Sequence, residues 1–140
     1  MNSRRGLDQV WQKLHPRCVA CSPEHPSGLR LRFSEQDDGG VVADFACGRA
    51  FEGYPGLLHG GITSMVLDSA MANCMFAEGY EAVTAELHVR YRAPVAVDRT
   101  ARVSARIQRE MHPLYLVESS LVQDGSVKAL ATGKYMVRLD

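Results

Sequence analysis

The chain has 140 residues, of which 46% are hydrophobic, and its 16 basic and 16 acidic side chains give a formal net charge of zero. A balanced charge creates no long-range attraction to nucleic acid or to an anionic membrane, so neither is an expected partner. The length and the apolar content fit one globular domain with a core. No apolar run approaches the roughly 20 residues that span a bilayer, and Met1–Arg5 lacks the apolar stretch of a signal peptide, so we expect a cytoplasmic protein.

Residues 1–28 are expected to form a short helix and a loop that precede the rest of the domain. Apolar side chains recur at spacings of three and four, as in an amphipathic helix, at Leu7, Val10, Trp11 and Leu14. The loop that follows, residues 15–28, has no periodicity and carries four side chains spaced as zinc ligands can be: His15, Cys18, Cys21 and His25. A structural zinc site is one interpretation of this loop, and a loop of reduced, buried thiols is the other.

Residues 29–140 begin with a strand pattern and continue with one long helix. Alternation at Leu29–Phe33 and Val41–Phe45, with the turn signal Asp37–Gly40 between them, predicts a first hairpin. Residues 60 to about 78 contain no proline and are rich in Ala, Met and Leu, which favours a helix. Its apolar side chains point nearly all the way round, so the helix must be wrapped by the rest of the domain.

Four further strands are predicted after the helix. Apolar and polar residues alternate over 83–91 and 101–107, and residues 114–123 join 126–137 through Asp124-Gly125, a strong hairpin signal. The chain is therefore predicted to have an α+β fold, in which a curled antiparallel sheet wraps around one long central helix. Because such a sheet keeps an exposed edge strand, we expect copies of the chain to associate through it as a homodimer or homotetramer.

The loop before the helix and the helix itself carry a distinctive motif. His59-Gly60-Gly61 opens the helix, and Asp68 follows nine positions after the histidine. Together with the preceding Gly53–Leu58, this pattern resembles the PaaI-like and THEM2-like group of hot-dog-fold thioesterases. The likeness extends from residue 29 to the end of the chain, since later strands of that family are similar to residues 83–87, 91–94 and 131–134.

The resemblance implies a hot-dog acyl-CoA thioesterase that hydrolyses a thioester to free acid and CoA and requires no cofactor. Asp68 matches the family's general base or nucleophile, and the Gly61 N–H matches its oxyanion donor. His59 matches a histidine that orients the site, and Thr84 matches a hydroxyl that holds the attacking water. The residues expected to contact the substrate, with the arginines near the phosphates of CoA, are Gly60, Ser64, Tyr54, Arg90 and Arg92.

One position departs from the family, and other functions stay open. Some relatives carry Asn or Gln six residues before the histidine, where this chain has Gly53, so that polar contact is absent or comes from elsewhere. A hot-dog hydratase or dehydratase also pairs a histidine with an acid, and a non-catalytic acyl-CoA-binding module would use the same polar residues as anchors. Asp68 could also be a buried structural acid bonded to Ser64.

The spacing of Gly61 and Asp68 argues that the site is shared between subunits. Seven residues of helix at about 1.5 Å each place them roughly 10 Å apart along the helix axis. An oxyanion donor and a base must both lie within about 3 Å of one reacting group. We therefore expect His59 and Gly61 of one subunit to face Asp68 and Thr84 of the other.

Overall fold

A computed structural model of the protein describes residue 7 and residues 13–138. Most of the helix predicted over residues 7–14 lies outside these described residues. Within them, Leu7 is buried, and residues 13 and 14 have a helical backbone. Among the described helices, none combines the length and the apolar character that crossing a membrane requires.

In the described part of the chain, a six-stranded antiparallel sheet surrounds one long helix. The strands are β1 (Ser34–Glu35), β2 (Val41–Phe45), β3 (Ala82–Tyr91), β4 (Ala101–Met111), β5 (Leu114–Gln123) and β6 (Ser126–Val137), and the helix α1 spans Gly60–Ala77. The strand order is β1-β2-β4-β5-β6-β3, so the chain returns from α1 to pair β3 with β6 at the far edge. The sheet curls around α1, which packs against β2, β3, β4, β5 and β6, and the predicted α+β hot-dog fold is confirmed.

The long helix forms and is buried as its sequence predicts. Its bounds agree with the expected 60 to about 78, and buried side chains occur on every side of it. Met71, Met75 and Phe76 belong to the same core cluster as Phe45 of β2 and Val103 of β4. Each large apolar side chain that is enclosed in this way stabilises the fold by roughly 1.5–3 kcal/mol.

The first hairpin is shorter than the sequence predicts. Arg30 has a positive φ of 55°, which breaks the extended backbone predicted for Leu29–Phe33. The N–H groups on both sides of Arg30 donate instead to the carbonyls of Val19 and Ala20, at 2.8 and 2.9 Å. The strand prediction is therefore wrong for these residues, because they pair with the N-terminal loop, and sheet pairing begins at Ser34.

The last hairpin has the bounds and the turn that the sequence predicts. β5 ends at Gln123 and β6 begins at Ser126, and between them Asp124 and Gly125 have φ values of 52° and 77°. Two consecutive positive φ values give the turn a twist that matches the right-handed twist of the strands. Asp-Gly accepts these values at little cost, and this is why the dipeptide is such a strong hairpin signal.

β3 is an edge strand with apolar side chains on its surface. It pairs with β6 on one side, and on its other side no described residue pairs with its backbone. Val83, Leu87 and Tyr91 are 51%, 38% and 54% exposed, although edge strands usually carry charge or cover in such places. An unpaired edge with exposed apolar side chains is a surface suited to association with another strand.

Candidate active site

The loop before α1 folds tightly against the start of the helix. The Gly53 N–H donates to the Leu57 carbonyl at 2.8 Å, and the His59 N–H donates to the Phe51 carbonyl at 2.9 Å. A Cβ at Gly53 would lie only 3.1 Å from the His59 Cα. A side chain at this position would crowd the backbone at the start of the helix. The close packing of the loop therefore favours glycine here, where some relatives have a polar residue.

His59 caps the N-terminus of α1. Its Nδ1 accepts a hydrogen bond from the Gly61 N–H at 2.9 Å, and its carbonyl accepts from Ile62 and Thr63. The Gly61 N–H, the oxyanion donor predicted from the sequence, is thus already bonded to a side chain. Within the described part of the chain, the Gly60 N–H has no acceptor. It is one of the N–H groups that every helix start leaves unpaired, and it carries the positive end of the helix dipole.

Tyr91, at the end of β3, joins the helix start to the sheet edge. Its hydroxyl donates to the Gly60 carbonyl at 2.9 Å and is also in short contact with the Ser64 hydroxyl. Ser64, which the sequence offered as a substrate contact or as a partner for Asp68, is therefore bonded to Tyr91. The Tyr91 ring lies 3.7 Å from the position of a Cβ at Gly60, so an alanine would fit there.

Asp68 is held by two hydroxyl groups. Its Oδ1 accepts hydrogen bonds from the Thr84 hydroxyl at 2.8 Å and from the Tyr135 hydroxyl at 2.5 Å. The Tyr135 hydroxyl also lies 3.2 Å from the main-chain carbonyl oxygen of Asp68. Oδ2 has no hydrogen bond to any residue that the structure describes. The side chain is partly exposed, so one oxygen is fixed while the other can reach water or a substrate.

Tyr135 is a residue of the site that the sequence analysis missed. It is fully buried in β6, where it pairs directly with Thr84 of β3. Burial, and then the neighbouring Asp68 carboxylate, raise the pKa of its phenol, so the group stays protonated and donates. A Cβ at Gly133 would lie 2.7 Å from the Tyr135 ring, so this glycine provides the space for it. The signal in the sequence is a large residue after two small inward-facing ones, Ala131 and Gly133.

Two clefts flank the start of α1. A cleft of about 300 Å³ lies beside Gly60 and has Tyr91 and Arg92 in its walls. A second cleft, of about 470 Å³, lies beside His59 and Gly61 on the other side, and its apolar walls include Phe51, Ile62 and Met65. The N-terminus of the helix therefore faces open space on two sides, with a cationic side chain in the first cleft and an apolar surface in the second.

The remaining predicted substrate contacts are not brought together. Arg90 lines a separate cleft of about 270 Å³ together with His88 and Glu118, on the face of the sheet turned away from α1. Arg92 follows the last residue of β3, where the alternation of side chains along the strand stops. The side chains of Arg90 and Arg92 therefore lie in different clefts. Tyr54 is 81% exposed at the tip of the loop before the helix.

Three of the four predicted metal ligands lie together in the N-terminal loop. The donor atoms of His15, Cys18 and Cys21 are all within 4.8 Å of one another. His25 is not part of this group, because its ring turns back locally and Nδ1 accepts from the Ser27 N–H at 3.1 Å. The pKa of the Cys18 thiol is lowered to about 4, mainly by the hydrogen bond from Cys21. Burial acts in the opposite direction and raises this pKa, while a hydrogen bond with His15 lowers it.

Comparisons with known proteins agree with this fold. The model of the thioesterase superfamily matches residues 55–110, which include α1 and β3. Acyl-coenzyme A thioesterase THEM4 of Rattus norvegicus is 30% identical over 93 residues, which are 66% of this chain and 39% of that protein. The chain spans less than half the length of the curated relatives it matches.

Two solved structures cover almost the whole chain. A phenylacetic acid degradation-related protein from Ralstonia eutropha JMP134 is 26% identical, with a TM-score of 0.75 over 96% of this chain and 98% of that one. The PaaI protein of the E. coli phenylacetic acid degradation operon is 17% identical, with a TM-score of 0.82 over 98% of this chain and 96% of that one. These matches confirm the resemblance first seen in the His-Gly-Gly and Asp motif: residues 55–110 match the thioesterase superfamily, and the fold is the hot-dog fold of these structures.

Proposed function

We propose that the protein hydrolyses acyl-CoA thioesters to a free acid and CoA without a cofactor. The observation that supports this most is the Asp68 carboxylate, whose Oδ1 is bonded to Thr84 and Tyr135 while Oδ2 is left available. At the start of the same helix, the Gly60 N–H has no acceptor among the described residues. A base and an anion-binding N–H are the two groups that thioester hydrolysis needs. The rat relative, an acyl-coenzyme A thioesterase by name, supports the substrate class.

In this proposal Asp68 acts as a general base. A water molecule is positioned by a hydrogen bond to Thr84. Asp68 Oδ2 takes a proton from this water, and the water oxygen attacks the thioester carbon. The carbon–sulfur bond then breaks as the carbonyl re-forms, and the CoA thiolate takes the proton back from Asp68. Direct attack by the carboxylate is the other mechanism open to this residue, and ¹⁸O on Asp68 after one turnover in ¹⁸O-water identifies it.

We propose the Gly60 N–H as the first oxyanion donor, because the Gly61 N–H is bonded to His59 Nδ1. The Gly61 N–H can join it when the imidazole turns toward the substrate, which keeps an orienting role for His59. Gly60→Pro removes the N–H in question, and proline is favoured at the first position of a helix. His59 already has the extended backbone, φ −61° and ψ 134°, that a residue before proline requires.

The matched control for Gly60→Pro is Gly60→Ala, which keeps the N–H and places its Cβ at an ordinary 3.7 Å from Tyr91. We expect kcat to fall by roughly 100- to 1,000-fold in Gly60→Pro, as for the loss of one oxyanion donor, and to change little in Gly60→Ala. Equal activities in the two variants would contradict the assignment.

We propose that each active site combines the helix start of one subunit with Asp68 and Thr84 of another. α1 is continuous from Gly60 to Ala77, so Gly60 and Asp68 lie roughly 12 Å apart along its axis and cannot contact one carbonyl group. Thr84 and Tyr91, which bind the two parts of α1, are both on the unpaired edge strand β3. A second copy that pairs along this edge would bring two such helices close together.

Mixed oligomers test the shared site. Gly60→Pro and Asp68→Asn chains are co-expressed with different affinity tags, and the mixed species is purified through both tags. A shared site gives the mixed dimer one site with both wild-type halves, so activity should return to about half that of the wild type. Mixed dimers as inactive as the two parents would show that each site belongs to a single chain.

The reaction itself is tested with the purified protein and a panel of acyl-CoA substrates, with a thiol reagent to detect free CoA. Asp68→Asn keeps the size of the side chain and removes the base, so it should abolish CoA release without loss of folding. Addition of water to an enoyl-CoA would identify a hydratase instead. Binding of acyl-CoA without turnover would identify a binding module.

The acyl group is proposed to occupy the apolar cleft beside His59, lined by Phe51, Ile62 and Met65. A flexible methionine and an aromatic ring in its walls suit a medium aliphatic or an aryl acyl group. Arg92, in the neighbouring cleft, is the arginine placed to meet a phosphate of CoA, in preference to Arg90. The homo-oligomeric state and the cytoplasmic location stay predictions from the sequence.

A further inference from the structure

The N-terminal loop holds two thiols and an imidazole at the separations of metal ligands. Ideal tetrahedral zinc, with bonds of about 2.3 Å to sulfur and about 2.05 Å to nitrogen, places a sulfur and a nitrogen ligand about 3.6 Å apart. His15 Nδ1 and Cys21 Sγ are 3.8 Å apart. The Cys18 thiol completes a group whose donor atoms all lie within 4.8 Å of one another. A small inward movement of these side chains gives three bonds to one ion.

The backbone next to Cys18 directs one N–H group at its sulfur, and a second N–H closes the turn that carries both cysteines. The Ala20 N–H donates to Cys18 Sγ at 3.3 Å, two residues after the cysteine. The Ser22 N–H donates to the Cys18 carbonyl at 3.0 Å, so the two cysteines sit on one closed turn. N–H donors to sulfur stabilise negative charge there and orient the ligands of a metal site.

The loop is ordered by specific contacts although it has no helix or strand. The Ser22 side chain is 0% exposed, and its hydroxyl donates to the Pro16 carbonyl at 2.7 Å. Cys21 is 2% exposed beside it. The His15 ring packs edge-on against Phe76 of α1, with 4.8 Å between ring centroids. An ion held here would therefore bind the loop at a fixed place against the second half of the central helix.

We propose that His15, Cys18 and Cys21 bind one thiophilic divalent cation, zinc in the cell, with a water molecule as the fourth ligand. Zinc is favoured because two thiolates and an imidazole are its preferred donor set, whereas magnesium and calcium select oxygen. The ion stabilises the N-terminal loop against α1 and takes no part in hydrolysis. Among the residues that the structure describes, the loop supplies three ligands, and the partly exposed His15 and Cys18 leave the fourth position open to solvent.

The competing use of two cysteines three residues apart is a redox-active disulfide. The imidazole favours the metal site, because it adds a third donor that a disulfide does not need. His15 Nδ1 lies 3.8 Å from Cys21 Sγ, and the His15 ring packs against Phe76. Cys18 and Cys21 therefore belong to a three-ligand group and not to an isolated pair.

The test uses the full chain, kept reduced, loaded with zinc sulfate and passed through gel filtration in buffer without metal. Elemental analysis should find about one zinc per chain in the wild type and in His25→Gln, and less than about a tenth of that in Cys21→Ser. His25→Gln is the matched control, since it changes a histidine of the same loop outside the group. Chelation should lower Tm of the wild type by several degrees and leave Tm of Cys21→Ser unchanged.

A second measurement does not depend on the folding of a variant. Wild-type protein loaded with cobalt should show the strong visible bands of a tetrahedral ion and a thiolate-to-cobalt band in the near ultraviolet. Reduced protein that takes up neither zinc nor cobalt would overturn the proposal. Equal zinc content in the wild type and Cys21→Ser would also overturn it. So would a Cys18–Cys21 disulfide in protein that still binds no metal once the disulfide has been reduced.

Discussion

Replacing Tyr135 with phenylalanine removes one hydroxyl group from the surroundings of Asp68. That hydroxyl donates to Oδ1 at 2.5 Å and lies 3.2 Å from the main-chain carbonyl oxygen of the same residue. Tyr135 is 0% exposed, so no solvent replaces the lost contact directly. The phenylalanine ring occupies the same space beside Gly133, so Tyr135→Phe tests the hydrogen bond and leaves the packing almost unchanged.

The size of the effect follows from the charge on the acceptor. A hydrogen bond to a charged group contributes about 1.5–3 kcal/mol net, and each 1.36 kcal/mol changes a rate tenfold, which sets a range of roughly 10- to 150-fold in kcat. Because the Thr84 hydroxyl still donates to Oδ1, we expect the lower end, a fall of about tenfold. KM should change by less than about twofold, since the buried hydroxyl positions the base and does not contact substrate.

Steady-state hydrolysis of an acyl-CoA, followed through the thiol released, gives kcat and KM for the variant. Tyr115→Phe is the matched control: Tyr115 is the cross-strand neighbour of Tyr135, is equally buried, and bonds to His112 instead of Asp68. It should keep the wild-type kcat. A wild-type kcat in Tyr135→Phe, or equal losses in both variants with equal loss of Tm, would refute the positioning role of Tyr135.

Thr84→Val should lower kcat by about tenfold in the same assay, while Thr84→Ser keeps the hydroxyl and most of the activity. In a double mutant with Tyr135→Phe the two losses in kcat should not add, since both hydroxyls donate to the same oxygen, Asp68 Oδ1. Leu87→Arg places a charge on the exposed edge of β3 and should convert the oligomer to a monomer in light scattering, whereas Val127→Arg, at an equally exposed apolar site on β6, should not. Burial raises the pKa of Cys47 to about 11 and the pKa of Cys74 to about 12, so both thiols stay protonated at pH 8. Mass spectrometry should therefore find neither cysteine alkylated in the native protein below about pH 10. Alkylation of either cysteine at pH 8 would contradict their burial.

Elements whose cause is local could be predicted from the sequence. α1 has the predicted bounds because a proline-free run of good helix formers favours a helix through its own composition. The Asp124-Gly125 turn is equally local, since the two residues accept the positive φ values by themselves. His59-Gly60-Gly61 stands out through its resemblance to a family motif, and the structure adds the cap that connects its first and third residues.

Features that depend on distant pairing could not be predicted in this way. Tyr135 meets Asp68 only because β6 pairs with β3 after two hairpins, and a tyrosine in an alternating strand is otherwise typical of an ordinary core residue. The strand prediction at Leu29–Phe33 failed because the N-terminal loop competes for the same backbone groups. Spacing alone predicts His25 as a metal ligand, but spacing does not reveal that its ring turns into a local contact with Ser27.

β3 has a consequence for how activity depends on the amount of protein. Its Thr84 and Tyr91 side chains bind α1 at Asp68 and Gly60, while its outer edge is unpaired. The strand that orders both halves of the site is thus also the one through which the proposed dimer forms. Under this arrangement catalysis is a property of the pair of chains, and specific activity falls on dilution below the dissociation constant of the dimer.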